Sequence, residues 1–214
     1  MILAIRLILS AVASYLIGAI PTAYIFGKKL KKIDIRQHGS GNMGATNAFR
    51  VLGKGPGTLV LLIDIAKGIL PTTIIADIFG TTELWMRLVC GLVAVCGHNW
   101  TVFLQFKGGK GIATGLGLLI GLSIESAAIR PILFLTVAVW LFVFLATGFV
   151  SLSSIVASVF LPIWALLYNQ SFYVVMSGIV LCIFVVFRHR PNIKKLIEGK
   201  ESRVPFPFFK RPRV

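Results

Sequence analysis

The sequence predicts an all-α integral membrane protein, a bundle of seven transmembrane helices in a single domain (residues 1–214), with the N-terminus outside and the C-terminus inside. Apolar residues make up 57% of the 214 residues and charged residues only 14%, against about 25% charged in a soluble domain. The 22 Lys and Arg residues outnumber the 7 Asp and Glu residues, giving a net charge of +15. This composition excludes a disordered chain, and we expect no nucleic-acid partner.

Seven apolar segments approach or reach the length of a transmembrane helix, which needs about 20 mostly apolar residues. They are Ile2–Phe26, Gly57–Ala76, Trp85–Phe103, Ile112–Ile124, Pro131–Thr147, Val150–Leu167 and Phe172–Phe187. The first is predicted to be a retained span rather than a cleaved signal peptide, because its apolar run is long and its lysine cluster follows it. The fourth is short, but Gly and Thr are well tolerated in membrane helices.

Hydropathy alone leaves a six-span alternative open, because only Gly148 and Phe149 separate the fifth and sixth segments. The positions of the basic residues favour seven spans. Segments 28–55, 105–111 and 188–214 hold seven, two and nine of the 22 basic residues. Seven spans place these segments on one side of the membrane, whereas six would put the last on the opposite side. Because basic segments stay in the cytoplasm, we predict seven spans and three cytoplasmic segments.

The first cytoplasmic segment contains a glycine-rich turn with the pattern G-x-G-x-x-G, formed by Gly39, Gly41 and Gly44. A dinucleotide-binding loop of this pattern follows a buried strand, whereas a membrane helix and a charged linker precede this one. Backbone N–H groups of such a turn can bind an anion, and an arginine can hold a phosphate. The candidate residues are Ser40, Gly41, Asn42, Thr46, Asn47 and Arg50. A turn whose polar groups satisfy one another fits the composition equally well.

The second cytoplasmic segment carries a run of glycines and lysines directly before an apolar helix. Its members are Lys107, Gly108, Gly109, Lys110 and Gly111. The free N–H groups and dipole of a helix N-terminus favour an anion, and lysines add positive charge. The pattern is not a Walker A loop. We favour a phosphate site over lysines that only anchor the helix, because anchoring does not require three glycines.

The third cytoplasmic segment begins with Arg188-His-Arg-Pro-Asn192. We expect His189 and Asn192 to lie near each other at the helix end, where an imidazole can orient or accept a proton near neutral pH. For the lysines that follow, an interfacial helix on anionic lipid is the better interpretation. The tail beyond residue 204 is predicted to contact lipid.

Two ionisable residues, Asp64 and Lys67, fall inside the second predicted span. They are three residues apart and therefore share a helical face. Charged groups at this depth are costly and usually face the protein interior. We expect the two to neutralise each other, and contact with a substrate remains the alternative.

The longest motifs are Gly39-Ser-Gly-Asn-x-Gly-Ala-Thr-Asn-x-x-Arg50, Gly97-His98 with Phe103-Leu-x-Phe-Lys-Gly-Gly-Lys-Gly111, and Arg188-His-Arg-x-Asn192 with Gly199-x-Glu201. Together with Asp64-x-x-Lys67-Gly68, they resemble the bacterial acyl-phosphate:glycerol-3-phosphate acyltransferases, the PlsY family, over essentially the whole chain. Pro191 departs from the acidic residue usual in that family and is expected to end the last helix early.

The resemblance implies transfer of a fatty acyl group from acyl phosphate to the sn-1 hydroxyl of glycerol 3-phosphate, giving lysophosphatidic acid and phosphate. It implies a multi-pass protein of the bacterial cytoplasmic membrane, with its active site facing the cytoplasm. We expect no metal, because no carboxylate cluster suits Mg²⁺, and no other cofactor. The expected partners are the two substrates, membrane lipid and the enzyme that forms acyl phosphate.

We expect direct transfer without a covalent acyl-enzyme. The candidate catalytic residues are Ser40, Arg50, Lys110, His189 and Asn192. The candidate substrate-binding residues are Gly41, Asn42, Thr46, Asn47, His98, Lys107, Gly108, Gly109 and Gly111.

The residues agree with this chemistry independently of the resemblance. Two anion sites suit two phosphate-bearing substrates, and an apolar bundle suits an acyl chain. The H-x4-D pair of other acyltransferases is absent, because Met43, Phe103 and Lys194 follow the three histidines at that spacing. The rival interpretations are a transporter of organic phosphates, although we find no internal repeat, and a structural lipid-binding protein.

Overall fold

A computed structural model describes residues 1–204 of the chain; the predicted lipid-contacting tail, residues 205–214, lies outside them. Within the described part all regular structure is helical, which confirms the predicted all-α class. The chain divides into two compact units, Met1–Ile129 and the residues from Arg130 onward.

The first unit contains seven α-helices. They are α1 (Ile2–Ala19), α2 (Thr22–Lys31), α3 (Ala45–Leu52), α4 (Lys54–Leu70), α5 (Ala76–Ile78), α6 (Leu84–Asn99) and α7 (Ile112–Glu125). A π-helical turn, Pro71–Ile75, joins α4 to α5, and 3₁₀ turns cover Ile35–Gln37, Val102–Leu104 and Ala127–Ile129. Residues 45–52, which follow the glycine-rich turn of the first segment, form α3.

The described part of the second unit contains four helices: α8 (Arg130–Thr147), α9 (Val150–Leu167), α10 (Phe172–Arg188) and α11 (Arg190–Ile197). Gly148, at φ 74°, separates α8 from α9. The indole N–H of Trp140 on α8 donates to Ser154 Oγ on α9 at 3.1 Å, so the two helices fold back on each other. The fifth and sixth predicted segments are therefore two helices rather than one long one.

Five helical stretches among residues 1–204 are long and apolar enough to cross a membrane: Ile2–Lys31, Lys54–Ile78, Leu84–Leu104, Ala127–Thr147 and Val150–Leu167. The pair α10–α11, bent by 60°, makes a sixth if it is one span. The fourth predicted span corresponds to α7, which is apolar but has only 14 residues. A multi-pass membrane protein is thus supported, and the count of seven spans stays a prediction.

The first predicted span, Ile2–Phe26, is broken by a kink at Ile20 and Pro21 that separates α1 from α2. Proline lacks a backbone N–H and therefore interrupts the helical hydrogen bonds. The carbonyl of Ile20 accepts a hydrogen bond from Lys67 Nζ at 2.6 Å. The side chain of Lys67, on the neighbouring helix α4, therefore satisfies the carbonyl group left free at the break.

A small apolar core supports the first glycine-rich segment. It joins α2, the 3₁₀ turn at Ile35, α3 and α4, and its buried members are Ala23, Ile35, Met43, Ala48, Leu52 and Val60. Behind this core α4 packs closely on α7. A Cβ on Gly117 would overlap the backbone of Ile65, so only a glycine permits this approach.

An ion-pair cluster holds the opposite end of the first unit. The guanidinium of Arg87, which is 5% exposed, lies 2.5 Å from Asp77 Oδ1 and 3.0 Å from Glu125 Oε2. The same group donates to the carbonyl of Thr72 at 2.9 Å. This cluster ties α6 to the π-helical turn and to the end of α7.

Candidate active site

The first glycine-rich segment is approached through a 3₁₀ turn that Asp34 caps. The Asp34 carboxylate accepts hydrogen bonds from the backbone N–H of Arg36 at 3.0 Å and from its guanidinium at 2.7 Å. The guanidinium hydrogen bond is the main reason that the pKa of Asp34 falls from 3.8 to about 2. The same contact raises the pKa of Arg36. The segment therefore starts from a charged, locally fixed turn.

Asn47, only 1% exposed, holds the glycine-rich turn from inside. Its Oδ1 accepts from the backbone N–H of Ser40 at 2.8 Å, and its Nδ2 donates to the carbonyls of His38 at 3.0 Å and Ile35 at 3.3 Å. Gly39 lies at φ 63°, and a Cβ there would overlap Asn47 Oδ1. The amide of Asn47 and the glycine thus fix the turn together.

The remaining candidates of this segment face outward. The side chains of Ser40, Thr46 and Arg50 are exposed, while Gly41 and Asn42 are half-buried. Thr46 and Arg50 are four residues apart on α3 and share a face, and Asn47 lies on the buried face of the same helix. The structure therefore divides the predicted phosphate ligands into an outward-facing set and an internal support.

The second glycine-rich segment is packed on the end of α6. The N–H of Gly109 donates to the carbonyl of His98 at 2.9 Å, and that of Gly108 donates to the carbonyl of Asn99 at 3.2 Å. A Cβ on Gly109 would overlap Nε2 of the His98 ring. His98 itself is 8% exposed, so it lies beneath the loop rather than on its surface.

The lysines of this segment differ in exposure. Lys107 is exposed and Lys110 is half-buried. Gly111, in the left-handed region at φ 77°, is the N-terminal cap of α7. The predicted order, a Gly/Lys loop directly before an apolar helix, is confirmed.

The predicted pair of Asp64 and Lys67 is confirmed, and it is buried. Lys67 Nζ lies 2.6 Å from Asp64 Oδ1, with the two side chains 3% and 1% exposed. Lys67 also donates to Ile20 O and to Thr22 Oγ1, and Thr22 Oγ1 donates to Asp64 Oδ1 at 3.1 Å. His98 Nδ1 lies 3.9 Å from Asp64 Oδ1.

A partly open polar cavity lies where these elements meet. Its lining comes from the α1–α2 break, the buried ion pair and both glycine-rich segments, and consists of Ala19, Ile20, Pro21, Thr22, Met43, Asp64, Lys67, His98, Thr101 and Gly109. The structure thus brings the first two predicted cytoplasmic segments together around a charged pair.

The third segment lies in the second unit, where the 60° bend between α10 and α11 falls at His189. His189 is 2% exposed, and its Nδ1 lies 2.8 Å from the carbonyl of Val185. The N–H of Asn192 donates to the carbonyl of His189 at 2.8 Å, so the predicted proximity of the two residues is confirmed. Pro191 opens α11, and α10 ends before it at Arg188.

The sequence interpretation gave no role to several side chains that build these sites. Thr22 and Thr101 hold the α1–α2 break, the latter by donating to the carbonyl of Ala19 at 2.5 Å. In the second unit Glu201 Oε1 accepts from Asn192 and from Ser151, both at 2.7 Å. The adjacent Pro21 was the available signal for Thr22, whereas Thr101 is distant in sequence from the break and carries no such signal. Ser151 carries no sequence signal, because it lies 50 residues from Glu201.

Residues 8–199 match the family model of the glycerol-3-phosphate acyltransferases. A glycerol-3-phosphate acyltransferase of Desulforudis audaxviator is 43% identical over 203 residues, covering 95% of this chain and 98% of that protein. Another, from Gloeobacter violaceus, is 40% identical over 197 residues, covering 91% of this chain and 93% of that protein.

Crystal structures of PlsY, an integral membrane glycerol 3-phosphate acyltransferase, share the fold. Its glycerol 3-phosphate form is 37% identical with a TM-score of 0.83, covering 93% of this chain and 96% of that one. Its lysophosphatidic acid form is 36% identical with a TM-score of 0.81, covering 93% and 95%. The family model, the relatives and these structures agree with the resemblance of the motifs, and the chain belongs to the glycerol-3-phosphate acyltransferase family.

Proposed function

We propose that the protein transfers a fatty acyl group from acyl phosphate to the sn-1 hydroxyl of glycerol 3-phosphate, forming lysophosphatidic acid and inorganic phosphate. The observation that carries this proposal is the meeting of two glycine-rich segments at one polar cavity, since Met43 and Gly109 both line it. The glycerol 3-phosphate and lysophosphatidic acid forms of the PlsY structure support the acceptor and the product. The acyl-phosphate donor rests on the motifs and on the chemistry below.

The reaction needs no covalent acyl-enzyme. The sn-1 oxygen attacks the carbonyl carbon of the mixed anhydride, the bond from that carbon to the phosphate oxygen breaks, and phosphate leaves with the electron pair. The proton of the hydroxyl passes to the donor phosphate. Because acyl phosphate is already activated, positioning and cationic stabilisation of the leaving phosphate supply the rate.

The outward-facing groups suit these tasks. In our proposal Ser40, Arg50 and Lys110 bind substrate phosphate, and the turn 39–47 and the loop 107–111 surround it. Asn47 and His98 are buried, so in this proposal they support the backbone of the site. On the basis of the motif, we assign the orientation of the acceptor hydroxyl to His189 and Asn192.

We further propose that the protein is a seven-span protein of the bacterial cytoplasmic membrane, with its N-terminus outside and with its C-terminus and active site facing the cytoplasm. The excess of Lys and Arg in segments 28–55, 105–111 and 188–214 supports this orientation. We expect the whole of 1–214 to act as one membrane domain. A cytoplasmic active site also allows direct delivery of donor by the enzyme that forms acyl phosphate.

Purified protein in detergent, given palmitoyl phosphate with and without glycerol 3-phosphate, tests the reaction. We expect phosphate release and lysophosphatidic acid only when the acceptor is present. Product formed instead from palmitoyl-coenzyme A or a palmitoyl carrier protein would contradict the proposed donor. Absence of turnover together with glycerol 3-phosphate counterflow in liposomes would replace the enzyme with a transporter.

A further inference from the structure

Lys67 has no capacity left for a substrate. Its ammonium donates to three acceptors, the carbonyl of Ile20, the hydroxyl of Thr22 and the carboxylate of Asp64, and an ammonium has three N–H groups. The side chain is 3% exposed. The cavity beside it has a volume of about 10 Å³, room for roughly one water molecule.

Asp64 faces the ring of His98. Its Oδ1 is shared by Lys67 and Thr22 and lies 3.9 Å from His98 Nδ1, and its Oδ2 is buried without a hydrogen-bond partner among the described residues. A carboxylate in a buried setting attracts a ring N–H strongly. At 3.9 Å this is an electrostatic contact rather than a hydrogen bond, and the Nδ1 edge of the imidazole faces Asp64.

The opposite side of that ring supports the glycine-rich loop. His98 Nε2 occupies the space where a Cβ of Gly109 would lie, and the carbonyl of His98 accepts the N–H of Gly109 at 2.9 Å. Lys110 is the next residue. A shift of the ring thus moves the backbone that carries Lys110.

We propose that Asp64 and Lys67 are positioning residues that act through His98 to set the loop 107–111, so that Lys110 lies where it binds substrate phosphate. This inference rests on the proposed function, because it takes the loop as a phosphate site. The Asp64–Lys67 pair acts on the loop through the side chain of His98, and Lys67 also stabilises the α1–α2 break.

The test uses the double variant Asp64→Asn with Lys67→Met, which removes both charges at similar volume. Replacing both partners of a buried ion pair is commonly tolerated by the fold, so we expect a melting temperature near that of the wild type. The KM of one phosphate substrate should rise about tenfold, because small displacements of binding groups have large effects. Lys110→Ala identifies that substrate as the one whose KM it raises.

A double-mutant cycle separates positioning from general destabilisation. When Lys110→Ala is already present, adding Asp64→Asn with Lys67→Met should change KM little further, because all these substitutions act through the same loop. Unchanged KM values for both substrates in the folded double variant, or fully additive effects, would overturn the proposal. If the double variant does not fold, His98→Gln replaces it in the cycle and its KM values are compared in the same way. This variant keeps the ion pair and removes the ring through which the pair acts on the loop.

The matched control is the ion pair of Arg87, which is buried, with Asp77, whose side chain is 55% exposed, changed as Asp77→Asn with Arg87→Met. It lies at the opposite end of α6, so its loss should leave both KM values unchanged. The melting temperature should fall, because Glu125 and the carbonyl of Thr72 also lose Arg87 as a partner. Wild-type protein that forms no lysophosphatidic acid would overturn the proposed function instead. Calorimetric titration of glycerol 3-phosphate and of inorganic phosphate into wild type and double variant would then decide the positioning role: weaker binding of either ligand by the variant supports it, and equal affinities for both overturn it.

Discussion

At the scale of single residues, the buried amide of Asn47 and the exposed hydroxyl of Ser40 have separate tasks although they are hydrogen-bonded neighbours. Asn47 uses both ends of its amide on three backbone groups of the turn. Ser40 joins that network only through its backbone N–H, and its side chain is exposed. Substitutions at the two positions should therefore have different effects on stability and turnover.

Ser40→Ala should lower kcat/KM about ten- to hundredfold and leave the melting temperature unchanged, since a hydrogen bond to a charged phosphate is worth about 1.5–3 kcal/mol. Asn47→Ala, the comparison variant, should lower the free energy of unfolding by about 1–3 kcal/mol and reduce turnover as well. Steady-state kinetics and thermal unfolding in detergent measure both. Near-normal turnover of Ser40→Ala would remove Ser40 from the site.

The Asp34–Arg36 contact gives the first segment a dependence on acidic pH. Because the pKa of Asp34 is lowered from 3.8 to about 2, its stabilising contribution is complete above pH 3.8 and is lost as the pH falls towards 2. The melting temperature of wild type should exceed that of Asp34→Asn at pH 5, and this difference should narrow as the pH falls through 2. Arg36 is 33% exposed, so added salt should also narrow the difference.

At the scale of elements, the sequence predicts where helices lie better than where they break. The runs Val150–Leu167 and Phe172–Phe187 match α9 and α10 within a residue, because apolar length defines them. The break at Ile20–Pro21 inside the first run is stabilised by Thr101 and Lys67, which are distant in sequence, so hydropathy could not reveal it. The bend at His189, by contrast, has a local sequence signal, because Pro191 lies two residues further on and interrupts the helical hydrogen bonds.

Glu201 secures α11 by accepting hydrogen bonds from Asn192 on that helix and Ser151 on α9. Glu201→Ala should lower the free energy of unfolding by about 1–3 kcal/mol, since both donors lose this acceptor. Glu201→Gln keeps one acceptor oxygen and should lose less. The control is Glu198→Ala, whose ion pairs with Lys194 and Lys200 are exposed and should contribute little. Equal destabilisation by Glu198→Ala and Glu201→Ala would contradict this assignment.

At the scale of the whole molecule, the prediction of membrane topology rests on the positions of the basic residues and not on hydropathy. Of the basic residues predicted to lie elsewhere, Lys67 and Arg87 pair with acidic partners, so they carry no information about sidedness. The sequence located the glycine-rich segments and their helices correctly. It did not distinguish Asn47 and His98, which lie inside, from Ser40 and Arg50, which lie outside, because polarity alone does not indicate which face of a short helix is buried.

The orientation of the chain can be measured with single cysteines placed in a variant that lacks Cys90, Cys96 and Cys182. A membrane-impermeant maleimide should label Glu83→Cys in intact spheroplasts and Lys29→Cys only after permeabilisation, because the basic segment 28–55 is predicted to be cytoplasmic. Both positions are exposed, so accessibility within the fold does not limit labelling. The reverse pattern would contradict the proposed orientation.

The 14 residues of α7 have a consequence for how two unlike substrates meet. At 1.5 Å per residue this helix rises about 21 Å, whereas the hydrocarbon layer is about 30 Å thick. Its N-terminus at Gly111 can therefore lie several ångströms below the level of the lipid headgroups, in a depression that water enters. A soluble phosphate ester could then descend to the depth of a fatty chain, and neither substrate would have to leave the phase in which it is stable.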